Sequence, residues 1–587
     1  MKKFIQVILI SLVFSSIVFS QNSNVSLGKL KPFWRNHPVL GPFLQDGLWI
    51  QEVPDYMLNT DFAYKKRPFA KEVLFADHLS VVRLLGGTDS YPDLVIAKKT
   101  EVNSDGTMKK SKFSAEDTAS IRKLSEYDYA FRKKDGTLGF RPELIVNRLK
   151  SYTDNGYTSF TIVLDNVPWC LIKTPLIGSF GQTGPPDNQE EWYQTVRELC
   201  ITLKTILGEE NANKLRFRIG TEMNGKERFN GTEDQFITHF DYAAAAIADV
   251  LPGARLGLFN ISAVSIKGIQ HSHNVNAFHL LKHATTEPNR KTGKSYGALP
   301  FVAASRYFCE KVNLNDICGG LVSAWDYVHD SIPGYTEFSR EIHEWGAIGD
   351  WAAKPPTSNP DAFGNAMNLQ VLLDFNEKGI DRLFHWNLLE SVKSTKQDEI
   401  LIPNSQAWGY SVLNYMSGGE AYKLTPQPTI ATDKTTHSAL LSVFDKKAYL
   451  LVNAYNTSRT SHNKNMVTLK IEKKSLPFKV KILKSASMNN ANCVGLAVRL
   501  DIEQAGILNP IMNERPEGVF NLKDMTNNLG QAKTLVIQNW DKYKSIWKKS
   551  LTLETFKGKI TEDANFYTIT LEMAAPESTV IVLTEKK

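Results

Sequence analysis

The stretch Leu215–Gly225, LRFRIGTEMNG, decides how the rest of the chain is read. Leu215, Phe217 and Ile219 alternate with Arg216, Arg218 and Gly220, the period-2 signature of a strand with one apolar face. The same alternation sets Glu222 on the face of Arg218 and Gly220, opposite the apolar set. The strand then breaks into Glu222-Met-Asn-Gly, a polar turn. A carboxylate at the C-terminal end of a strand, opening a loop, is where a (β/α)8 barrel carries its chemistry. Taken alone, Glu222 reads first as a surface carboxylate at a strand end, so its meaning depends on the rest of the chain.

From about Gly47 to Asn387, strand-like runs alternate with helical patterns. The runs are GLWIQEV (47–53), SVVRLLGG (80–87), SFTIVLD (159–165), LRFRIGTE (215–222), RLGLFNIS (255–262), PFVAASRYF (300–308), REIHEWG (340–346) and RLFHWNL (382–388). Helical spacing recurs between them, as in Glu190–Leu207 with Trp192, Val196, Leu199, Leu203 and Ile206. Others are Pro142–Asn155, Phe236–Leu251, and Ala366–Lys378, which stops at Gly379. Eight strands separated mostly by helices predict a (β/α)8 TIM barrel. A doubly wound open sheet would carry a Gly-rich phosphate loop after an early strand, and Gly86-Gly87 alone does not supply one. After about Asn404 the runs SALLSVF (438–444), KAYLLVNAY (447–455), MVTLKIE (466–472), FKVKIL (478–483), FYTITLEM (566–573) and STVIVLTE (578–585) predict one or two antiparallel β-sandwich modules. One helical stretch, Lys533–Ser550, interrupts them. The expected organisation is a leader over 1–20, a barrel over 21–404 and a β-sandwich region over 405–587.

A chain of 587 residues is too long for one ordinary domain. Its 42% hydrophobic and 22% charged residues are those of a globular protein. The formal charge of +7 is mild over so large a surface. It permits an anionic substrate, while the absence of basic runs with interleaved aromatics argues against a nucleic-acid partner. MKKFIQVILISLVFSSIVFS (1–20) has two lysines before an apolar run and a small residue before Gln21, the pattern of a secretory signal peptide. The run is short for a spanning helix and has no neighbouring Cys, so a secreted or periplasmic protein is expected, with no membrane attachment after cleavage. Five cysteines, odd in number and widely spaced, do not make a disulfide framework; whether Cys309 and Cys318 bridge stays open.

Three strand ends carry candidate chemistry. The fourth expected strand ends in Glu222, the seventh in Glu344 within REIHEWGAIGD, and the eighth in Trp386-Asn387. Two carboxylates delivered from opposite walls of a barrel suit glycoside hydrolysis, in which one protonates the leaving oxygen while the other attacks the anomeric carbon. Asn166 and Trp169, in LDNVPWC, follow the third strand and are candidates for lining a cleft. Tyr307, near the end of the sixth strand, is a candidate hydrogen-bond donor to Glu344. Trp325, with Asp326, Tyr327 and His329, is expected on a long loop before the seventh strand, suited to stacking on a sugar ring. His343 is expected to point away from Glu344 by alternation. Gly293-Lys-Ser-Tyr-Gly297 matches the Gly-x-Ser-x-Gly pattern, but it follows a polar stretch rather than an apolar strand, so a nucleophile elbow is rejected. The proposed reaction calls for no metal and no cofactor.

With these residues in place, the chain resembles the retaining clan of (β/α)8-barrel glycoside hydrolases. Arg-Ile-Gly-Thr-Glu-Met-Asn-Gly (218–225) resembles the clan's strand-4 Asn-Glu-Pro motif, and Ile-His-Glu-Trp-Gly (342–346) its strand-7 Thr-Glu-Trp motif. The second is in the style of family 39, the β-xylosidase-like enzymes. Length, leader and the barrel-then-β order look like family 86, the β-agarases and β-porphyranases. The resemblance implies Glu222 as acid/base, Glu344 as nucleophile and Arg83 as support for the nucleophile carboxylate. Thr221 stands where the clan has the Asn that bonds the sugar 2-OH, and Asn224 lies nearby. The implied activity is a secreted, retaining, endo-acting hydrolase of a polysaccharide, such as the galactans agarose or porphyran. The alternatives are an exo-acting family 39-like β-glycosidase of the β-xylosidase type and a non-catalytic glycan-binding barrel.

Overall fold

The computed structural model describes residues 24–29, 79–81, 84–87, 90–91, 94–95 and, apart from short breaks, 125–585; the longest breaks are 348–360 and 511–524. The expected leader (1–20) and first strand (47–53) lie outside the described residues, as do Cys309 and Cys318. The architecture is mixed α/β. Its first described strand, β1 (Val25–Lys29), belongs to the C-terminal part of the molecule.

Seven parallel strands follow in chain order. They are β2 (Leu79–Val81), β3 (Phe160–Leu164), β4 (Arg216–Ile219), β5 (Arg255–Gly257), β6 (Phe301–Phe308), β7 (Ser339–Ala347) and β8 (Arg382–His385). The ladders run β2–β3–β4–β5 and β6–β7–β8. A parallel bridge between Ile261 and Ala304 joins the two series, so each strand neighbours the next in sequence. Helices separate them: α1 (Pro142–Thr153), α2 (Gln189–Leu207), α3 (Glu233–Val250), α4 (Ala277–Thr286), α5 (Gly319–Ser331) and α6 (Ala362–Phe375), with α7 (Ser405–Met416) after β8. Every residue of β3, FTIVL, is buried, as in a parallel sheet covered on both faces. Local chemistry starts the helices. Asn188 caps α2 by accepting from the Glu190 N–H, Thr232 and Gln235 form a capping box at α3, and Asn276 caps α4. Each cap contributes on the order of 1 kcal/mol.

Two larger antiparallel sheets form the C-terminal part of the molecule. The larger contains β1, β9 (Glu420–Leu424), β10 (Thr436–Phe444), β11 (Lys447–Tyr455), β15 (Glu577–Thr584) and β13 (Ile482–Met488), in that spatial order, with a short edge strand at Glu554–Thr555. The smaller centres on β12 (Lys464–Glu472) and β14 (Phe566–Ala574). Val467, Leu469 and Ile471 of β12 and Ile569 and Leu571 of β14 alternate onto one face and pack against Leu441, Leu450 and Val452 of the larger sheet. β1 pairs with β9, so residues from both ends of the chain share this sheet.

The sequence reading needs correction in this region. Beyond residue 404 two further stretches are helical: α7, and α8 (Val494–Gln504). Trp408, Val412 and Met416 in α7, and Val494, Val498 and Ile502 in α8, are buried at helical spacing. The expected helix at Lys533–Ser550 is two helices, α9 (Leu529–Gln538) and α10 (Trp540–Leu551), meeting at Asn539. No helix among the described residues is long and apolar enough to cross a membrane.

Helix α6 shows why the two parts hold together. It is enclosed on every side, with all residues from Ala362 to Leu373 buried, the signature of a helix with no solvent face. One side meets the parallel strands and another meets the larger antiparallel sheet. Its polar side chains are used across that interface. Asn365 Nδ2 donates to Ser578 Oγ at 3.0 Å and its Oδ1 accepts from the Gly409 N–H at 3.1 Å. Ser578 Oγ donates to Asn453 Oδ1 at 2.8 Å, and Asn453 Nδ2 donates to the Ala366 carbonyl at 2.9 Å. Asn365→Ala strands the Gly409 N–H and removes the donor to Ser578 in a dry interior, so it should lower unfolding stability by about 1–3 kcal/mol. Urea denaturation checks this; an unchanged midpoint would show that the network contributes nothing across the interface.

Candidate active site

The site is built from the face of β4 that the alternation marked as polar. Phe217 and Ile219 are fully buried on the apolar face. Arg216 and Arg218 point to the other side and meet β7 three strands away. Arg216 Nη2 donates to Glu341 Oε1 at 2.6 Å, and Arg218 Nη1 lies 3.1 Å from His343 Nδ1. His343 Nε2 is 2.7 Å from Glu341 Oε2, which closes the set. Arg218, Glu341 and His343 are all fully buried.

Protonation follows from donor chemistry. A guanidinium only donates, so His343 Nδ1 is the acceptor from Arg218, and the proton on Nε2 is given to Glu341. The imidazole is therefore neutral. Burial pulls its pKa down to about 4, against the opposing pull of the Glu341 carboxylate. Burial works to raise the Glu341 pKa, but Arg216, the His343 hydrogen bond and Arg382 together outweigh it and hold the carboxyl below the usual range. Burial also lowers the Arg218 pKa, while Glu344, Asp165 and Glu222 act in the opposite direction.

β4 ends at Ile219, three residues earlier than the expected run over 215–222. Gly220 takes φ 71° and Glu222 φ 49°, the left-handed region. Glu222 is the only described non-glycine residue at positive φ; such strain concentrates at functional positions. The Thr221–Asn260 bridge and a bond from the Glu222 N–H to the Asn260 carbonyl at 3.1 Å pin the turn. Its carboxylate accepts from Arg228 Nη2 at 3.1 Å, both side chains being 19% exposed. Glu344 arrives differently. The β6–β7 register passes from Ala304↔Ile342 to Ser305↔Glu344, leaving His343 as an extra residue. That bulge re-aims the strand, so His343 and Glu344 both face the interior. Asn260 Nδ2 donates to Glu344 Oε1 at 3.1 Å and to Ser305 Oγ at 2.6 Å.

The remaining candidates divide. His343 does not point away from the site as alternation implied, because of the bulge. Thr221 Oγ1 accepts from Arg218 at 2.8 Å and donates to Asp165 Oδ2 at 3.2 Å. Asn224 Oδ1 accepts from the Ser262 N–H at 3.1 Å, joining two loops. Trp325 is a correction: it lies on α5 rather than a loop, is 1% exposed, and donates its indole N–H to the Val302 carbonyl, so it belongs to the core. Asn166 donates to the Gln182 carbonyl at 2.8 Å, and the Trp169 N–H to Asp128 Oδ2 at 2.6 Å. Both are buried and support a loop rather than line an open cleft. Arg83, Trp386 and Asn387 lie outside the described residues; Tyr307 sits in β6 with its side chain outside them. Arg216, Arg218, Glu341, Asp165, Asn260 and Arg228 belong to the site although no sequence motif marks them. Two arginines on the face opposite an apolar strand surface were the available signal. Among the described residues no group of three or more His, Cys, Asp or Glu side chains is placed to hold a metal ion.

No family model matches the chain. Over 143 residues it is 27% identical to an α-1,4-L-rhamnosidase of Formosa agariphila, a match that covers 23% of this chain and 29% of that relative's length. Solved structures align over nearly its whole length. A monomeric β-xylosidase from Caulobacter crescentus CB15 has 12% identity, covers 96% of this chain and 98% of its own, and gives a TM-score of 0.56. A GH39 enzyme from Xanthomonas axonopodis pv. citri has 12% identity, covers 91% and 92%, and gives 0.53. A bacterial orthologue of human α-L-iduronidase has 10% identity, covers 96% and 82%, and gives 0.59. The chain therefore shares the fold of these glycosidases.

The buried set has a pH signature. An unfolded His titrates near 6.5, whereas His343 is held near 4 in the fold. Between those values the unfolded chain binds a proton that the folded chain refuses, so stability falls as pH drops through that window. Glu341, held below its ordinary 4.5, adds a further loss below that pH. Each pKa unit corresponds to about 1.4 kcal/mol. His343→Gln should flatten the fall in urea-measured stability between pH 6.5 and 4; an unchanged slope would show that His343 is not the group responsible.

Proposed function

We propose that this chain is a secreted, retaining glycoside hydrolase whose parallel strands close into a (β/α)8 barrel, with the β-sandwich region over residues 405–587 docked beside it. Glu222 is its acid/base and Glu344 its nucleophile. The observation that carries the reading is that these two carboxylates, one from the turn after β4 and one from β7, are both held by Asn260, whose carbonyl accepts from the Glu222 N–H at 3.1 Å and whose Nδ2 donates to Glu344 Oε1 at 3.1 Å. A fold shared with glycosidases supports it.

The chemistry is a double displacement. Glu344 attacks the anomeric carbon as Glu222 gives its proton to the departing glycosidic oxygen, forming a glycosyl ester on Glu344. Glu222 then takes a proton from water, which attacks the same carbon and releases the sugar with its original anomeric configuration. Asn260 holds the Glu344 carboxylate in place, and Arg228 orients Glu222. Thr221 is committed to Arg218 and Asp165, which positions the turn rather than a sugar hydroxyl.

For substrate we favour exo-action on a terminal sugar, in the manner of a family 39-like β-glycosidase. The solved glycosidases of similar fold include a β-xylosidase, and the partial match to a rhamnosidase adds a deoxyhexose to the candidates. The galactan specificity implied by the family 86 resemblance has no counterpart among these proteins. Wild type should release monosaccharide, with retention followed by NMR, from a panel of aryl xyloside, arabinofuranoside, rhamnoside and iduronide set beside agarose and porphyran. Glu222→Gln and Glu344→Gln should each lower kcat by about 10²–10⁴-fold. Full activity in either variant, or an inverted product, overturns the assignment.

A further inference from the structure

A groove of about 500 Å³ lies away from Glu222 and Glu344. It opens where α3 passes through Pro252 and Ala254 into Arg255, the first residue of β5. This is the N-terminal end of the parallel strands, whereas Glu222 follows the C-terminal end of β4 and Glu344 lies in the C-terminal half of β7. The small residues Ala244, Ala245 and Ala248 of α3 form an apolar floor. Three cations, Arg255, Lys291 and Lys294, line it together with Tyr193 and Tyr296.

Two of these three cations are not neutralised. Lys291 pairs with Glu190, and Asp249, the carboxylate that lines the groove, is engaged by Arg197 Nε at 2.8 Å. Arg255 and Lys294 are exposed, and neither has a carboxylate partner among the described residues. Arg255 instead lies over the Tyr296 ring at 4.8 Å and donates to the Ala298 carbonyl at 2.8 Å, which fixes its direction. Lys291 lies 4.7 Å over the Tyr193 ring and 5.3 Å over the Tyr242 ring.

The loop that presents two of these cations is built from below. It is Pro288–Ser295, which carries the Gly293-Lys-Ser part of the Gly-x-Ser-x-Gly match and is closed by a bridge between its ends. Buried Asp241 anchors it: Asp241 Oδ2 accepts from the Arg290 N–H at 2.8 Å, and its carbonyl accepts from Asn289 Nδ2 at 2.9 Å. Asn289 Oδ1 in turn accepts from the Lys291 and Thr292 N–H groups at 2.9 and 3.1 Å. His283 supports Asp241 from the far side at 2.9 Å. A free surface loop needs no such buried polar scaffold.

We infer that this groove is a second saccharide-binding site, remote from the reaction, that takes a polysaccharide segment bearing sulfate or carboxylate groups. Arg255 and Lys294 meet the oxyanion, and the exposed Thr292 and Ser295 lie beside the alanine floor as hydroxyls beside an apolar face, a combination that suits a sugar ring better than a bare inorganic ion. The glycan nature of the ligand rests on the proposed function; the anionic character rests on the groove alone.

The test is calorimetric titration of Glu344→Gln protein, so that no ligand is consumed. The probes are sulfated carrageenan oligosaccharides, polygalacturonate oligosaccharides, neutral agaro-oligosaccharides and inorganic sulfate. One or both charged oligosaccharides should bind at least tenfold tighter than the neutral one and than sulfate, more weakly as salt is raised. Adding Arg255→Ala with Lys294→Glu should weaken that binding at least tenfold. The same two substitutions in the wild-type background should leave turnover of a small aryl glycoside unchanged, which also reports correct folding. Equal binding of charged and neutral oligosaccharides, sulfate binding as tight as the oligosaccharides, or binding that survives both substitutions overturns the inference. Full activity of Glu344→Gln would instead sink the catalytic assignment and leave this site standing.

Discussion

A guanidinium sealed inside a parallel sheet cannot stand alone. Arg218 is fully buried, and an uncompensated buried charge costs far more than a folded domain has in reserve. Its surroundings follow from that constraint. Thr221 and His343 accept its N–H groups, and Glu344, Asp165 and Glu222 supply the opposing charge. His343 accepts only while it is neutral, and it stays so because it is enclosed and gives its other proton to Glu341. Glu341 stays ionised because Arg216 faces it. Removing one partner from such a buried set typically costs about 3–5 kcal/mol, so the layer ties β4 to β7 with little freedom. The two carboxylates proposed for catalysis inherit that alignment.

Regular strands alone would not deliver those carboxylates. β4 stops short, and the left-handed turn through Gly220 and Glu222 turns the chain out of the strand at a conformational cost of about 1–3 kcal/mol for a non-glycine residue. Bonds to Asn260 hold it there. β7 solves the opposite problem with one extra residue, so neighbouring side chains face the same way. Asn260 touches both solutions, since its carbonyl accepts from Glu222 and its amide donates to Glu344. Behind this platform, α6 is buried between the parallel strands and the larger antiparallel sheet, and the Asn365–Ser578–Asn453 chain of bonds makes the two parts one packed body.

Much of the architecture was legible in residue order. Apolar strand-like runs marked β3, β6 and β7 nearly to their ends and β4 at its start, because a parallel strand must present apolar side chains to the helices that cover it. Helical spacing marked α2 through Trp192, Val196, Leu199 and Leu203. Glu222 and Glu344 stood out because each closes such a run. Trp325 misled for a physical reason: a Trp-Asp-Tyr cluster has the composition of a sugar-binding loop, yet the helix carrying it turns the indole toward Val302. α7 and α8 were missed because their short apolar spacing is set among β-rich neighbours.

By itself the sequence determined the alternation of strands and helices, the polar face of β4, and the two carboxylates at strand ends. These are local properties, set by side-chain periodicity within a dozen residues. Only the tertiary structure decided that Asn260 is bonded to both carboxylate-bearing residues, that a bulge turns His343 inward beside Glu344, and that Thr221 serves the turn. Each of those depends on residues far apart in the chain, Arg218 and His343 by 125 positions. Burial and hydrogen bonding across such separations are set by how the strands are laid side by side, which no local pattern records.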